Sequence, residues 1–463
     1  MRPRYGDGMP EPTEPRRDVA ARGGRRGLDR DILRLAGPAL GALVAEPLFL
    51  LTDTALVGHL GEIPLAALGI ASAIIQTAIG LLIFLAYATT PAVARRLGSG
   101  DRTGAIRAGI DGMWLALGLG VIVVAVGIAG SGGVVGLFTN DPLVAADATT
   151  YLHISLAGIP AMLLVIAATG LLRGLHDTRT PLIVAVCGFA ANAGLNAVFI
   201  YGLGWGIGGS AAGTVVAQWA MASVYIVIAV RAARASGARL KPGLDGVGSA
   251  ASSGGWLFVR TLSLRAAMLA TVAVAATFGT AQLGAFQIAL TLFSTLAFIL
   301  DALAIAGQAL IGHGLGASDT VRVALVTRRL IGWGIGSGVV LGAGLALAAP
   351  LLGPVFSSSP DVQRALTVTV FAMAVGIPLA GYVFVLDGVL IGAGDARYLA
   401  LTGVINVACY APLLAIVVLF HPPDDAALVW LWAAFGYGYI GARALTLGLR
   451  ARGTRWIVAG ATR

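Results

Sequence analysis

Apolar residues run in stretches of about 20 along almost the whole chain, separated by short polar turns. As helices, runs of that length with few charges match the thickness of a bilayer. Hydrocarbon cannot satisfy backbone polar groups, so such runs form helices or closed barrels. Barrel strands alternate over about ten residues. These runs are longer and continuous, which predicts helices. Twelve spans are predicted, at 33–57, 65–88, 109–129, 152–172, 181–203, 210–230, 256–278, 283–311, 331–349, 366–391, 399–420 and 427–448. The second six repeat the first six at a fixed offset of 218 residues. Gly61 pairs with Gly279, and Leu97, Gly98 and Asp101 pair with Leu315, Gly316 and Asp319. Gly158-Ile159-Pro160 pairs with Gly376-Ile377-Pro378, and Gly174, Asp177 and Arg179 pair with Gly392, Asp395 and Arg397. The predicted fold is an all-α membrane protein with twelve transmembrane helices in two pseudo-symmetric six-helix bundles. Six spans per repeat is an even number, so both repeats insert the same way. The repeat is then parallel, with its axis along the membrane normal. Two such bundles suggest a transporter that rocks about the interface between its halves.

Composition agrees with the pattern. Hydrophobic residues are 57% of the chain and charged residues 11%, well below the roughly 25% of a soluble domain. The net charge of +9 raises nucleic acid as a partner, but its placement removes that reading. The N-terminal tail through Arg34 holds nine arginines. The even-numbered loops hold most of the rest, including Arg95, Arg96, Arg173, Arg179, Arg322, Arg329, Arg397 and Lys241. Arg443, Arg450, Arg452, Arg455 and Arg463 are assigned to the C-terminal tail, and the odd-numbered loops hold only Arg364. This alternation is the positive-inside rule, with both termini cytoplasmic. It places the chain in a cytoplasmic (inner) membrane, with the lipid bilayer as partner and no nucleic acid. The expected domains are a disordered basic tail at 1–30, an N-lobe at 31–235 and a cytoplasmic linker at 236–249. A C-lobe at 250–450 and a cytoplasmic C-tail at 451–463 complete the chain.

Several chemistries are excluded. Lys241 is the only lysine and precedes Pro242, so the chain carries no phosphate-binding Gly-Lys-Ser/Thr loop. The five histidines lie at span ends or in loops without metal-ligand spacing. Cys187 and Cys409 fall inside spans and read as buried, inert thiols. No metal site, cofactor or enzymatic activity is expected, which leaves an ion gradient as the energy source.

Ionisable side chains inside spans are costly, so each is a candidate for function. Glu46 and Asp53 in span 1 are seven residues apart and share one helix face, about 10.5 Å apart along the axis. Pro38 and Pro47 in the same helix favour a kink. Plain alternatives are a solvated interfacial charge for Asp53 and an interhelical hydrogen bond for Glu46. Asn192 and Asn196 are one turn apart and face either a common cavity or a neighbouring helix. Asp301, Asp387, Arg260 and Arg265 form a C-lobe polar set. It reads as an ion-paired cluster that serves as structural glue or as a gate.

The chain resembles the multidrug and toxic compound extrusion (MATE) family, and most of all its DNA-damage-inducible protein F (DinF)-like branch. The resemblance runs through Asp53–Gly61 (DTALVGHLG) and the following PLAALG, Pro91–Asp101 (PAVARRLGSGD) and Arg173–Pro181 (RGLHDTRTP). It continues through Asn192–Gly202 (NAGLNAVFIYG) and Phe384–Asp395 (FVLDGVLIGAGD) and covers residues 31–455. It implies antiport of organic cations or other amphipathic drugs against protons or sodium. It also implies that Asp53 is a cation-coupling residue and Asn192 its support. The family's usual second aspartate in span 5 is Asn196 here, and a span-7 glutamate of some sodium-driven relatives aligns with Leu264. These departures favour protons. The expected function is a cation-coupled, proton-driven exporter of amphipathic small molecules that works by alternating access as a monomer. Asp53, Glu46, Asn192 and Asn196 are its coupling residues. The alternative is a flippase for lipid-linked oligosaccharides or cell-wall precursors, whose anionic cargo would call for several arginines in the cleft.

Overall fold

A computed structural model describes residues 15–420 and 425–461. Residues 1–14, 421–424 and 462–463 lie outside the described residues. The first span is α1 (Pro15–Gly58), and the second is α2 (Glu62–Leu82) with α3 (Phe84–Gly98). α4 (Arg102–Val135) is the third. The fourth is bent by 49° between α5 (Pro142–Leu156) and α6 (Ile159–Gly174). α7 (Arg179–Ala197), extended by the π-helical turn Val198–Gly202, and α8 (Gly206–Ser236) complete the first bundle. The second bundle holds α9 (Leu244–Ala275), α10 (Thr280–Gly316), α11 (Thr320–Phe356), α12 (Pro360–Gly392) and α13 (Ala396–Phe420). Its last span is α14 (Asp425–Ala433), a π-helical segment Ala434–Tyr439 and α15 (Ile440–Arg452). Among the described residues ten helical stretches are long and apolar enough to cross a membrane, and the bent α5–α6 pair makes eleven. The twelve-helix, two-bundle architecture read from the apolar runs fits this arrangement.

The internal repeat is visible in backbone detail. Gly61 and Gly279 precede α2 and α10 with φ of 125° and 114°, a region that a side chain rarely tolerates. Asp101 caps α4 by accepting from Gly104 N at 2.7 Å, and Asp319 caps α11 by accepting from Arg322 N at 2.9 Å. The left-handed residues at equivalent turns are Gly100 and Ser318, then His176 and Gly394.

The bundles meet at the basic end, where the even-numbered loops lie. Gly98 of α3 lies so close to the His313 carbonyl of α10 that a Cβ would overlap it. Gly316 of α10 lies equally close to the Arg95 carbonyl of α3. These residues correspond across the repeat, so this is a self-complementary contact on the pseudo-two-fold axis. Asp29 of α1 accepts from Arg329 at 2.5 and 2.6 Å and from Trp333 at 2.8 Å, which adds polar links from α1 to α11.

Several boundaries differ from those expected. Residues 15–30, expected in a disordered tail, are helical and continuous with α1. Their charge made them resemble a tail, yet arginine and alanine are good helix formers. The linker is shorter than 236–249, because α8 runs to Ser236 and α9 starts at Leu244. It is pinned to the N-lobe by Gly243 N donating to Asp111 Oδ1 at 2.9 Å and Trp114 Nε1 donating to the Leu240 carbonyl at 2.9 Å. The segment after α15 is docked onto the bundles. Trp456 is 2% exposed, Gly460 N donates to the Leu315 carbonyl at 2.9 Å, and Arg95 Nη1 donates to the Gly460 carbonyl at 3.1 Å. Cys187 and Cys409 are exposed on the outer faces of α7 and α13 rather than buried, since their helices turn other residues inward.

Candidate functional site

The N-lobe holds a narrow cavity between α1, α2, α5, α6, α7 and α8, with about 70 Å³ of open volume. Glu46 and Asp53 of α1 both line it, as their seven-residue spacing requires. Asp53 is 5% exposed and accepts three hydrogen bonds from neutral donors. Asn196 Nδ2 and Ser210 Oγ donate to Oδ1 at 2.7 and 2.8 Å, and the Tyr151 hydroxyl donates to Oδ2 at 3.4 Å. Asn196 also donates to Asn192 Oδ1 at 3.2 Å, and Asn192 donates to Thr214 Oγ1 at 3.0 Å. Asn196 therefore reaches Asp53 directly, and Asn192, one helical turn away, reaches it only through Asn196. Asn196 Oδ1 is buried with no hydrogen-bond partner beside this carboxylate. Tyr151 and Ser210 escaped the sequence reading. Ser210 follows a glycine-rich turn, and Tyr151 lies just before the predicted span 152–172 among ordinary polar residues.

Glu46 occupies the same cavity under different conditions. Its carboxylate makes no hydrogen bond or ion pair among the described residues. The cavity wall near it includes Phe49 and Phe189, whose rings stack at 4.9 Å with 14° between planes. Met162 and Met221 add polarizable surface, and no Lys, Arg or His lines the cavity.

The C-lobe polar set is organised around Asp387 of α12. Arg260 of α9 holds it through both carboxylate oxygens, and Arg443 Nη2 of α15 donates to Oδ1 at 3.0 Å. Asp387 and Arg443 are buried, at 6% and 7% exposed. The Arg260 guanidinium also lies 5.7 Å from the Tyr87 ring of α3, across the lobe boundary. Asp301 of α10 sits within electrostatic range of Arg260, Asp387 and Arg173 of α6. Arg265 stands apart from Asp387 and packs against Gly80 of α2. Arg173 and Arg443 were counted as loop and tail charges, but both belong to helices and face this cluster. The positive-inside rule counts an arginine near a span end without regard to which way it points.

The MatE family profile matches residues 38–198 and 257–420, one segment in each bundle. Protein DETOXIFICATION 43 of Arabidopsis thaliana is 30% identical, over 90% of this chain and 89% of its own length. A probable multidrug resistance protein NorM of Bradyrhizobium diazoefficiens is 27% identical over 91% of this chain and 93% of its own. The Vibrio cholerae MATE transporter VcmN in its bent form superposes with a TM-score of 0.83 at 20% identity, covering 92% of this chain and 98% of that one. A MOP superfamily transporter from Pyrococcus furiosus superposes at 0.82 with 21% identity, covering 92% and 95%. The two matched segments, the shared fold and the full-length likeness to these relatives mean that this chain belongs to the MatE family.

Proposed function

We propose that this protein exports organic cations and related amphipathic compounds across the cytoplasmic membrane in exchange for protons. Asp53 is the coupling carboxylate, and Asn192 and Asn196 are its supports. One observation carries the reading: Asp53 is buried at the wall of the N-lobe cavity and held only by neutral donors. A carboxylate bound this way can gain and lose a proton without breaking an ion pair. On protonation it acquires a hydrogen to donate, and the unpartnered Asn196 Oδ1 supplies an acceptor next to it. A proton falling through about 150 mV releases about 3.5 kcal/mol. That holds a gradient of roughly 300-fold for a neutral amphipathic substrate, at 1.36 kcal/mol per tenfold, whereas one-for-one exchange with a monocation is electrically neutral and is driven by the pH difference alone. Names of relatives that contain multidrug resistance agree with this cargo class.

Placement in the DinF-like branch rests on the span 1, 2, 5 and 10 motifs. The flippase alternative is disfavoured by the same geometry, because Arg260 and Arg443 are committed to Asp387 and the N-lobe cavity is lined by the carboxylates Glu46 and Asp53. Efflux of an organic cation from proteoliposomes, with a pH gradient and a sodium gradient imposed in separate runs, tests the proposal. Export driven by the pH gradient alone supports it. Export that requires sodium, or no export of any cation, overturns it.

A further inference from the structure

We infer that residues 453–461, the segment after α15, form a strap that fastens the two bundles at their basic end and has to release before the cleft opens to the cytoplasm. The inference rests on alternating access with the basic end facing the cytoplasm, and is independent of cargo and coupling ion. The seam at that end is a pair of close backbone contacts, Gly98 against the His313 carbonyl and Gly316 against the Arg95 carbonyl. Gly460 binds at both of them. Its N–H donates to the Leu315 carbonyl of α10 at 2.9 Å, and its carbonyl accepts from Arg95 Nη1 of α3 at 3.1 Å. The strap follows α15 of the C-lobe, so the amide fixes it on its own bundle and the carbonyl reaches across to the other. Arg95 extends the tie, because Nη2 donates to the Ala393 carbonyl at 2.9 Å in the turn after α12. Ala461 continues along the seam and lines a crevice with Tyr87, Pro91 and Arg96 of α3. The near end of the strap is anchored by Trp456, which is buried and donates from Nε1 to the Ala451 carbonyl at 3.3 Å. Gly460 has φ of 116°, so the backbone turn that presents its two polar groups requires glycine. The corresponding segment of the first repeat takes another course. It is the linker, and Gly243 and Leu240 tie it to Asp111 and Trp114 of α4 in its own bundle. The fastening is therefore asymmetric, with the C-lobe holding the N-lobe. The crossing bond has a charged donor, which places it among the stronger hydrogen bonds, and its loss shifts a closed–open ratio by about tenfold. Release of the strap sets how often the cleft meets the cytoplasm.

Distances between spin labels replacing Arg102 and Thr320, at the starts of α4 and α11, test the strap in the full-length protein once Cys187 and Cys409 are replaced. Gly460→Val keeps the Trp456 anchor and removes the turn, whereas Trp456→Ala removes the anchor. Each is expected to raise the ratio of long to short separations about tenfold over wild type. Trp456→Phe, which keeps a buried ring, is expected to raise it less than about threefold. Gly98→Leu is the control, because its side chain would overlap the His313 carbonyl and wedge the seam with the strap intact. Separations that lengthen in Gly98→Leu but stay at the wild-type value in both strap variants overturn the strap alone. A lowered unfolding temperature with those unchanged separations does the same, and marks the segment as a stabiliser of the C-lobe. Separations that lengthen in none of the variants overturn both the strap and alternating access at this seam.

Discussion

Asp53 and Asp387 are buried to the same degree, 5% and 6% exposed, yet their surroundings suit opposite tasks. Asp387 is paired with two guanidinium groups, and Asp53 is held by an amide and two hydroxyls. Removing one partner of a buried ion pair strands the rest, at a cost of about 3–5 kcal/mol. Asp387→Asn is therefore expected to lower the thermal unfolding temperature in detergent sharply, because Arg260 and Arg443 lose their shared counter-ion. Asp53→Asn is expected to shift the same transition little, by about 1 kcal/mol or less, because its amide still accepts from neutral donors. Equal destabilisation by the two would contradict this contrast. At this scale the sequence showed the residues that share a helix face. Glu46 with Asp53 and Asn192 with Asn196 follow from helical geometry alone. Tyr151 and Ser210 reach Asp53 from 98 and 157 residues away, and no local spacing marks such partners.

At the scale of the element, α1 carries the site. Its 44 residues form one helix with Pro38 and Pro47 inside it. Each proline removes an i→i−4 hydrogen bond, so the helix can bend there without breaking further bonds. Pro47 directly follows Glu46 and lies between it and Asp53 along the chain. Pro47→Ala is expected to slow proton-driven export at least tenfold at equal content of folded protein. Unchanged export by Pro47→Ala would mean that bending at this position plays no part. Helix ends were legible where caps and positive-φ glycines repeat, as at Asp101 with Asp319 and Gly61 with Gly279. They were not legible where charge density imitates disorder, as at 15–30, or where a short peptide docks by backbone bonds, as at Gly460.

For the whole molecule, the 218-residue offset disclosed two bundles, and their contact geometry had to come from the structure. The bundles close at the basic end through Gly98 and Gly316, with His176 and His313 beside them at 5.0 Å between ring centroids. Burial holds His176 below its ordinary pKa of 6.5, with Arg322 and Arg34 adding to the effect. The Ala309 carbonyl, which accepts from the ring at 3.3 Å, and the Asp31 charge oppose it. Opening the seam would return the ring to its ordinary value, so the open form binds more protons below pH 6.5. Closed-seam stability is thus complete above 6.5 and is lost as pH falls from there through the lowered value. Spin labels at Arg102 and Thr320, equivalent exposed sites on the two bundles, report this closure once Cys187 and Cys409 are replaced. Their separation is expected to lengthen on acidification in the wild type and to respond less in His176→Asn. A separation indifferent to pH would contradict the assignment. The account rests most heavily on Asp53 as the proton carrier. The most direct test is proton movement itself, followed with a pH-sensitive dye inside proteoliposomes when an organic cation is added. The expected result is cation-dependent proton flux in the wild type and none in Asp53→Asn at equal protein content. Proton flux of wild-type size in Asp53→Asn would contradict it.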